Sequence, residues 1–154
     1  MEIHNMAGHL IRRLNQISTS VFQAHLKEAG FDMTPVQFAA MNALHNHPKI
    51  DQASVAGLIA HDRATIGGVV DRLEAKGLVE RQVNAKDRRA KILQLTEKGE
   101  AVLAELTPII RNFQAEILTG LDEDEREQFI ALARKAAQGG NSLSRAPIKS
   151  GVKS

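Results

Sequence analysis

The sequence lacks several residue types that support covalent, redox or stacking functions. Its 154 residues include no cysteine, tryptophan or tyrosine, and aromatic residues make up 3% of the chain. Without cysteine, the protein can form neither disulfides nor thiolate metal sites. Without tryptophan and tyrosine, a platform on which single-stranded nucleic acid stacks is disfavoured.

Long apolar runs and catalytic motifs are also missing. No apolar run approaches the ~20 residues of a membrane-spanning helix, and Met1–Asn5 has neither the basic nor the apolar region of a secretory signal. These absences favour a cytoplasmic protein without a membrane partner. The chain contains no Gly-x-Ser-x-Gly, Gly-x-x-x-x-Gly-Lys or His-Glu-x-x-His motif. We therefore expect no enzymatic activity, no catalytic residues, no cofactor and no metal site.

The charges are segregated along the chain, although the net charge is only +2. Residues 81–98 carry six Lys and Arg against two acidic residues, a local net charge of +4. Residues 122–128 carry a local net charge of −4. Such segregation can place a basic face on a nearly neutral protein. An ordinary solvated surface explains either run alone equally well.

Apolar spacing and helix-end signals predict six helices. They are expected at roughly 5–29, 35–47, 51–59, 62–76, 96–117 and 122–137. Thr34, Pro35 and Gln37 indicate a capping box at the second helix, and Pro108 should kink or interrupt the fifth. The Gly- and Ser-rich segment after Ala137 carries basic residues and is expected to be disordered.

The third and fourth helices follow each other so closely that they must cross steeply, as in a helix-turn-helix. A β-hairpin is predicted next, with strands at Leu78–Val83 and Lys91–Leu95 and a long tip at 84–90. The order helix, turn, helix, basic hairpin is typical of proteins that read double-stranded DNA with a helix and a cationic wing.

The fourth helix has one apolar side and one side of small residues. At about 100° per residue, the first side comprises Ile66, Val69, Val70 and Leu73, and the other comprises Ala64, Gly67, Gly68, Asp71 and Ala75. Two adjacent interior glycines cost roughly 1 kcal/mol each relative to alanine. Close approach to a nucleic-acid edge would offset this cost, and so would tight packing against another helix. A third interpretation is that the helix tolerates the added flexibility without any such contact. Asp71 would repel DNA unless Arg72 or a hairpin arginine pairs with it.

Ten residues are candidates for DNA contact. Arginine bonds guanine or phosphate, and threonine contacts phosphate or a thymine methyl group. Arginines at a hairpin tip can enter a narrow minor groove, where Asp87 can hold one of them through a bidentate contact. The candidates are Gln52, Ser54, Arg63, Ala64, Thr65, Gly67, Gly68, Arg72, Arg88 and Arg89.

These segments resemble the MarR family of bacterial winged-helix transcription regulators, and the resemblance covers roughly residues 7–137. The matching segments are TPVQF (34–38), LIAHDRAT (58–65), VDRLEAKGLV (70–79), DRR (87–89) and LTEKG (95–99). The chain departs from the family pattern at two places. Asn84-Ala85 stands where many members have Asp-Pro, and Gly67-Gly68 stands where many members have polar residues.

The resemblance implies a mainly α fold with a small β-hairpin wing. Its parts would be a dimerisation helix in 1–33, a winged helix-turn-helix lobe in 34–98, dimerisation helices in 99–137 and a basic tail in 138–154. It also implies a homodimer on a palindromic operator, acting as a repressor that a small effector releases. The GGVVDRLE segment (67–74), with HLIRRL (9–14) upstream, is similar to members that respond to aromatic carboxylates or their coenzyme A thioesters.

Six residues are candidates for the effector site: His9, Arg12, Arg13, Phe38, Met41 and His61. The two arginines can bind a carboxylate or a phosphate, and the other side chains can supply hydrogen bonds or an apolar wall. Helical spacing favours a core role for Phe38 and Met41. Arg12 and Arg13 can equally form salt bridges at a surface or a dimer contact.

Two other functions stay open from the sequence. A metal-responsive regulator of the same fold would use His45, His47 and His61, although the spacing of the first two places their imidazoles on different helical faces. A helical interaction module that never binds DNA is the second alternative.

Overall fold

The computed structural model describes residues 2–149, which form six α-helices and one small antiparallel sheet. The helices are α1 (Ala7–Glu28), α2 (Pro35–Asn46), α3 (Gln52–Leu58), α4 (Arg63–Ala75), α5 (Glu97–Ile117) and α6 (Glu123–Gly139). The strands are β1 (Ile50–Asp51), β2 (Val79–Val83) and β3 (Lys91–Leu95). The prediction of a mainly α-helical fold with a small β-hairpin wing is confirmed. None of the helices in the described range is long and apolar enough to cross a bilayer.

The helix ends lie where side chains can satisfy free backbone groups. The Thr34 hydroxyl accepts a hydrogen bond from the Gln37 amide at 3.2 Å, and the Gln37 side chain accepts one from the Thr34 amide at 3.3 Å. This is the predicted capping box. α1 and α4 end beside Gly30 and Gly77, whose φ angles are +82° and +73°. Glycine adopts this left-handed conformation without strain.

One hydrophobic core joins α1 to α5 and the sheet. Its fully buried large side chains are Leu26, Met41, Leu44, Ile66, Leu73, Leu93, Leu106, Val55, Val70 and Val79. α1 packs along α5, where the rings of Phe22 and Phe113 meet edge to face with centroids 5.9 Å apart. The core therefore fixes α4 and the hairpin relative to the long helices.

The sheet has the strand order β1-β3-β2. β2 and β3 form the predicted hairpin, in register from Val79 opposite Leu95 to Val83 opposite Lys91. β1 was not predicted, because a strand of two residues has no alternation that a sequence pattern can reveal. Its residues Ile50 and Asp51 pair with β3 just before α3 begins. β1 thus attaches the hairpin to the helix-turn-helix.

Pro108 does not interrupt α5, which is continuous through Ile117. A proline inside a helix removes one backbone hydrogen bond, and Pro108 lies on the exposed side of the helix, where water can solvate the carbonyl that loses its partner. Leu106 and Phe113 are buried on either side of it. Core packing on both sides keeps the two halves in one helix.

The segment after Ala137 differs from the prediction of disorder as far as the structure describes it. α6 continues to Gly139, and the C-terminal tail (residues 140–149) folds back against the helix-turn-helix. Asn141 exchanges two hydrogen bonds with the backbone of Ile148, at 2.8 and 3.0 Å. The expectation for 150–154 lies outside the described residues.

Candidate nucleic-acid interface

The two sides of α4 separate as the sequence predicts. Ile66, Val69, Val70 and Leu73 are buried against the core. Ala64, Gly68 and Asp71 are exposed and Gly67 is half-buried, and these four residues are here called the outer face of α4. The outer face therefore presents almost no side-chain bulk to an approaching molecule.

The first turn of α4 is tied to its cap residue. The Asp62 carboxylate accepts a hydrogen bond from the Ala64 amide at 2.9 Å, and the Thr65 hydroxyl donates to the Asp62 carbonyl at 3.1 Å. Arg63, Ala64 and Thr65 are exposed around this cap. The start of the helix thus presents one cation and two small side chains to the solvent.

Few contacts within the chain require glycine at positions 67 and 68. A Cβ added at Gly68 would meet no atom of the described residues within 4 Å. A Cβ added at Gly67 would meet only the Gln52 side-chain nitrogen, at 3.4 Å. Packing against another helix of the same chain therefore does not explain Gly68.

Asp71 is paired by an arginine of the hairpin. Arg81 on β2 places one terminal nitrogen 2.5 Å from the Asp71 carboxylate and the other 3.9 Å from Glu74. The Arg81 side chain is 19% exposed, and its Nε has no hydrogen-bond partner among the described residues. The pair neutralises the carboxylate that would otherwise repel a phosphate backbone from α4.

A concave surface of about 430 Å³ lies between the helix-turn-helix and the hairpin. It brings together the DNA-contact candidates Gln52, Arg63 and Arg89. Its full lining is Asp51, Gln52, Ala53, Arg63, Ile66, Arg89, Ala90 and Lys91. Lys91 was missed by the sequence reasoning, although it belongs to the basic run that the charge count identified. Three cations facing one concavity suit an anionic partner.

The hairpin tip is ordered by its own backbone. The Asp87 carboxylate accepts a hydrogen bond from the Arg89 amide at 3.0 Å, and the Asp87 carbonyl accepts one from Ala90 at 3.1 Å. The prediction of a bidentate contact between Asp87 and an arginine side chain is wrong in this structure, because the carboxylate closes a turn instead. Asn84 performs a similar role by accepting from the Lys86 amide at 3.0 Å. The tip is thus shaped by Asn84 and Asp87, and Arg88 and Arg89 are exposed on it.

Three further DNA-contact candidates lie at the edges of this surface. Ser54 is half-buried on α3, where its amide donates to the capping carboxylate of Asp51 at 2.7 Å. Arg72 is exposed in the last turn of α4. Arg88 lies beside Arg89 but does not line the concavity. Three of the ten candidates therefore line the concavity, and Ser54, Arg72 and Arg88 lie outside its lining.

The effector candidates fall on separate surfaces. His9 and Arg12 contact each other on α1, with the Arg12 guanidinium donating to His9 Nδ1 at 3.4 Å, and Arg13 is exposed beside them. Phe38 lines a groove between α2 and α3, and His61 lines a concavity beside the C-terminal tail. Met41 has 0% exposure in the core. The prediction that Met41 lines a ligand site is therefore wrong in this structure. Its side chain packs in the core and no part of it reaches a surface.

The histidines of the metal alternative do not form a group. His45 bonds Glu100 of α5 at 2.7 Å, whereas His61 lies beside the tail. Across residues 2–149, no cluster of three or more His, Asp or Glu side chains has the arrangement of a metal site.

A cavity of about 420 Å³ between α2 and α5 was not predicted. Its lining includes Asn42, His45, Glu100, Thr107 and Arg111. Helical periodicity marks apolar stripes, but it does not show which polar residues of two helices far apart in sequence face each other. The cavity holds one arginine that can meet a carboxylate.

The helix-turn-helix, the basic hairpin and the outer face of α4 together define a winged-helix DNA-binding protein. More narrowly, the chain belongs to the MarR family of transcription regulators, which bind DNA and are not enzymes. A model of the MarR family matches residues 31–90. The transcriptional regulator HosA of Escherichia coli O157:H7 is 35% identical over 135 residues, which are 88% of this chain and 97% of HosA.

Solved structures show the same fold over most of the chain. BpsR of Bordetella bronchiseptica, whose DNA binding is regulated by 6-hydroxynicotinic acid, matches with a TM-score of 0.81 at 29% identity. The match covers 89% of this chain and 96% of BpsR. The transcriptional repressor CouR, bound to a 23-mer DNA duplex, matches with a TM-score of 0.80 at 28% identity, covering 88% of this chain and 95% of CouR.

Proposed function

We propose that this protein is a homodimeric repressor that binds a palindromic operator and is released by a small aromatic carboxylate or its coenzyme A thioester. In this proposal α4 enters the major groove through its outer face, and Arg88 and Arg89 enter the adjoining minor groove. Gln52, Ser54 and Arg63 contact phosphates beside them.

The outer face of α4 is the observation that carries the proposal. Gly68 is exposed, and apart from the adjoining residues and backbone of its own helix no described atom lies within 4 Å of a Cβ built on it, so the helix axis can approach a base edge more closely than it could with a side chain there. Asp71 is already paired with Arg81, which removes the main electrostatic objection to that approach. The cations Arg63, Arg89 and Lys91 line the adjacent concavity, where they can bind phosphates.

Apolar side chains on α1 and α6 support a dimer. Leu10, Ile11 and Ile17 of α1 are 47%, 66% and 40% exposed, and Ile130 and Leu132 of α6 are 50% and 66% exposed. α6 has no buried residue in the single chain. Large apolar side chains gathered on two helices are typical of a surface that another chain covers. A second copy would complete the two lobes that a palindrome requires.

The effector class is supported by chemistry on α1 and by the relatives. Arg12 and Arg13 are exposed next to Leu10 and Ile11, so a dimer that covers the apolar residues would bring the arginines to the rim of its interface. A guanidinium there can pair with an aromatic carboxylate while the apolar neighbours contact its ring. BpsR responds to 6-hydroxynicotinic acid, which has this chemistry. Phe38 and His61 are the remaining candidates on the DNA-binding lobe.

A mobility-shift experiment with footprinting tests this function. The probe is a duplex from the region upstream of the protein's own gene, and the control is a scrambled duplex of equal length and composition. We expect a specific complex with two protected half-sites about one helical turn apart. Benzoate-type acids or their thioesters should dissociate it, and an aliphatic acid of similar size should not. Equal binding to the scrambled duplex, or no binding at low salt, would contradict the proposal.

A further inference from the structure

The C-terminal tail is docked at the turn between α3 and α4 rather than extended into solvent. The Lys149 amide donates a hydrogen bond to the Gly57 carbonyl of α3 at 3.1 Å. A Cβ added at Gly57 would lie 3.4 Å from each of three carbons of the Lys149 side chain. The aliphatic part of Lys149 therefore lies across the one residue of α3 that has no side chain to displace it.

An apolar contact and a local clamp hold the same segment. Ile148 lines a groove of α2 and α3 together with Phe38, Leu58 and Ile59. The two hydrogen bonds between Asn141 and Ile148 close the tail into a compact loop. Polar and apolar contacts thus hold residues 141–149 in the same position.

Docking brings two more cations to the first turn of α4. The Arg145 Nε lies 3.7 Å from the carboxylate of Asp62, the residue that caps α4, and the Arg145 side chain is 90% exposed. Arg145 and Lys149 line a concavity of about 300 Å³ together with His61 and Arg63. Among the described residues of that lining, Asp62 is the single acidic one, and it also accepts the Ala64 amide.

Arg63 connects this concavity to the one beside the wing. Arg63 and Ala53 line both surfaces, with Arg89 and Lys91 on one side and Arg145 and Lys149 on the other. The start of α4 is therefore flanked by cations from two separate chain segments. Meanwhile Ala64, Thr65 and Gly68 stay exposed with the tail in place, so the docked tail leaves the outer face of α4 open.

We propose that the docked tail is a second cationic flank of the DNA interface, in which Arg145 and Lys149 bind backbone phosphates on the side of α4 opposite the wing. This inference rests on the proposed binding of duplex DNA by α4. Phosphate contacts of this kind add affinity and fix the position of the helix, but they carry no sequence information.

The test compares Arg145→Ala/Lys149→Ala with Lys27→Ala/Arg134→Ala in the full chain. The control removes the same charge from exposed positions on α1 and α6. Affinity is measured by fluorescence anisotropy for the operator duplex and its scrambled counterpart, between 50 and 300 mM salt. Thermal melting and sedimentation confirm that each variant is folded and has the wild-type oligomeric state.

We expect the tail variant to bind both duplexes roughly a thousandfold more weakly at 50 mM salt, a loss that shrinks to about twofold at 300 mM, because removing a cation that binds phosphate weakens all sequences alike. The slope of log affinity against log salt should fall by about 0.9 for each phosphate that is no longer neutralised, or three to four for a dimer. The control slope should change by less than about one. Ile148→Ser keeps both cations but weakens docking, and should bind about threefold more weakly.

Three outcomes would overturn the inference about the tail alone while wild-type binding to DNA persists. The first is an unchanged slope and affinity in the tail variant. The second is tighter DNA binding by that variant, which would show that the tail competes with DNA. The third is a change in affinity and slope equal to that of the control variant. Unchanged binding by Ile148→Ser would likewise contradict the docked geometry. If the wild-type protein binds no duplex, the proposed function fails together with the tail inference.

Discussion

Two helical glycines of this chain, Gly99 in α5 and Gly68 in α4, differ in the space that an added side chain would find. A Cβ at Gly99 would lie 2.1 Å from the backbone oxygen of Leu78, which no side-chain movement can relieve. A Cβ at Gly68 would contact no atom of the described residues within 4 Å. Gly99 is thus required by the fold, whereas no contact among the described residues requires a glycine at position 68.

The surroundings of Gly99 explain why the approach is so close. The Thr96 hydroxyl donates to the Gly77 carbonyl at 2.6 Å, and the Thr96 amide donates to the Leu78 carbonyl at 3.0 Å. The same hydroxyl accepts from the Gly99 amide at 3.0 Å and caps α5. The junction of α4, the hairpin and α5 is therefore built from backbone contacts with no space for a methyl group, whereas the outer face of α4 makes no such contacts with the described residues.

The largest effect is expected from Gly99→Ala. The added methyl group must displace the Leu78 backbone, and overpacking of this kind typically costs about 3 kcal/mol of unfolding free energy. For a chain of this size the melting temperature should fall by roughly 10 °C. Calorimetry measures the change, with Gly8→Ala as the control, because a Cβ at Gly8 meets nothing within 4 Å among the described residues. Equal melting temperatures for the two variants would show that the junction can relax.

Gly68→Leu should separate binding from stability. Leucine is a better helix former than glycine, so α4 should gain up to about 1 kcal/mol of stability. Operator affinity should fall about 100-fold, because the side chain holds the helix away from base edges in both half-sites. Gly8→Leu makes the same exchange in α1, where a Cβ also meets nothing within 4 Å among the described residues, and should change affinity less than threefold. Wild-type affinity in Gly68→Leu would remove close approach from the mechanism.

The contrast between these glycines also marks what the sequence could predict. The two faces of α4 and the capping box at Thr34 are local, and periodicity and capping rules predicted them. The collision at Gly99 involves Leu78, which is near in space because of the hairpin, and no local pattern shows it. The sequence left open whether an arginine pairs with Asp71, and the position of β2 makes Arg81 that partner. The return of the tail to Gly57 had no sequence signal, because composition alone suggested disorder.

Arg88→Ala/Arg89→Ala tests whether the positive charge of the wing contributes to DNA binding, whereas Gly68→Leu tests whether α4 must approach the bases closely. The removal of two cations from each wing should weaken operator binding about 20-fold near 100 mM salt and flatten its salt dependence. The Lys27→Ala/Arg134→Ala variant again serves as the control for net charge. An unaltered slope would assign the wing a structural role only. A loss confined to scrambled DNA would also contradict minor-groove contact at the operator.

The smallest effect on DNA binding is expected from Arg13→Ala, because α1 makes no part of the outer face of α4. Operator affinity without effector should stay within twofold of wild type, while the effector concentration for half-dissociation should rise about tenfold or more through loss of a charged hydrogen bond. Titration with an aromatic acid during the anisotropy measurement gives both quantities. Arg111→Ala is the informative companion, because Arg111 lines the cavity between α2 and α5. A response that disappears only in Arg111→Ala would place the effector there instead.

The short strand β1 couples the wing to the helix-turn-helix. Asp51 pairs with Ile92 of the wing and at the same time caps α3, so a movement of the wing would be transmitted to the start of the helix-turn-helix. In the proposed dimer, the bases that one lobe contacts would then depend on that lobe and not on its distance from the other lobe. In a dimer joined through α1 and α6, the spacing between half-sites is then a property of those helices alone. If α1 and α6 were exchanged between related regulators, the spacing between half-sites should change. The preferred bases should stay those of the DNA-binding lobe.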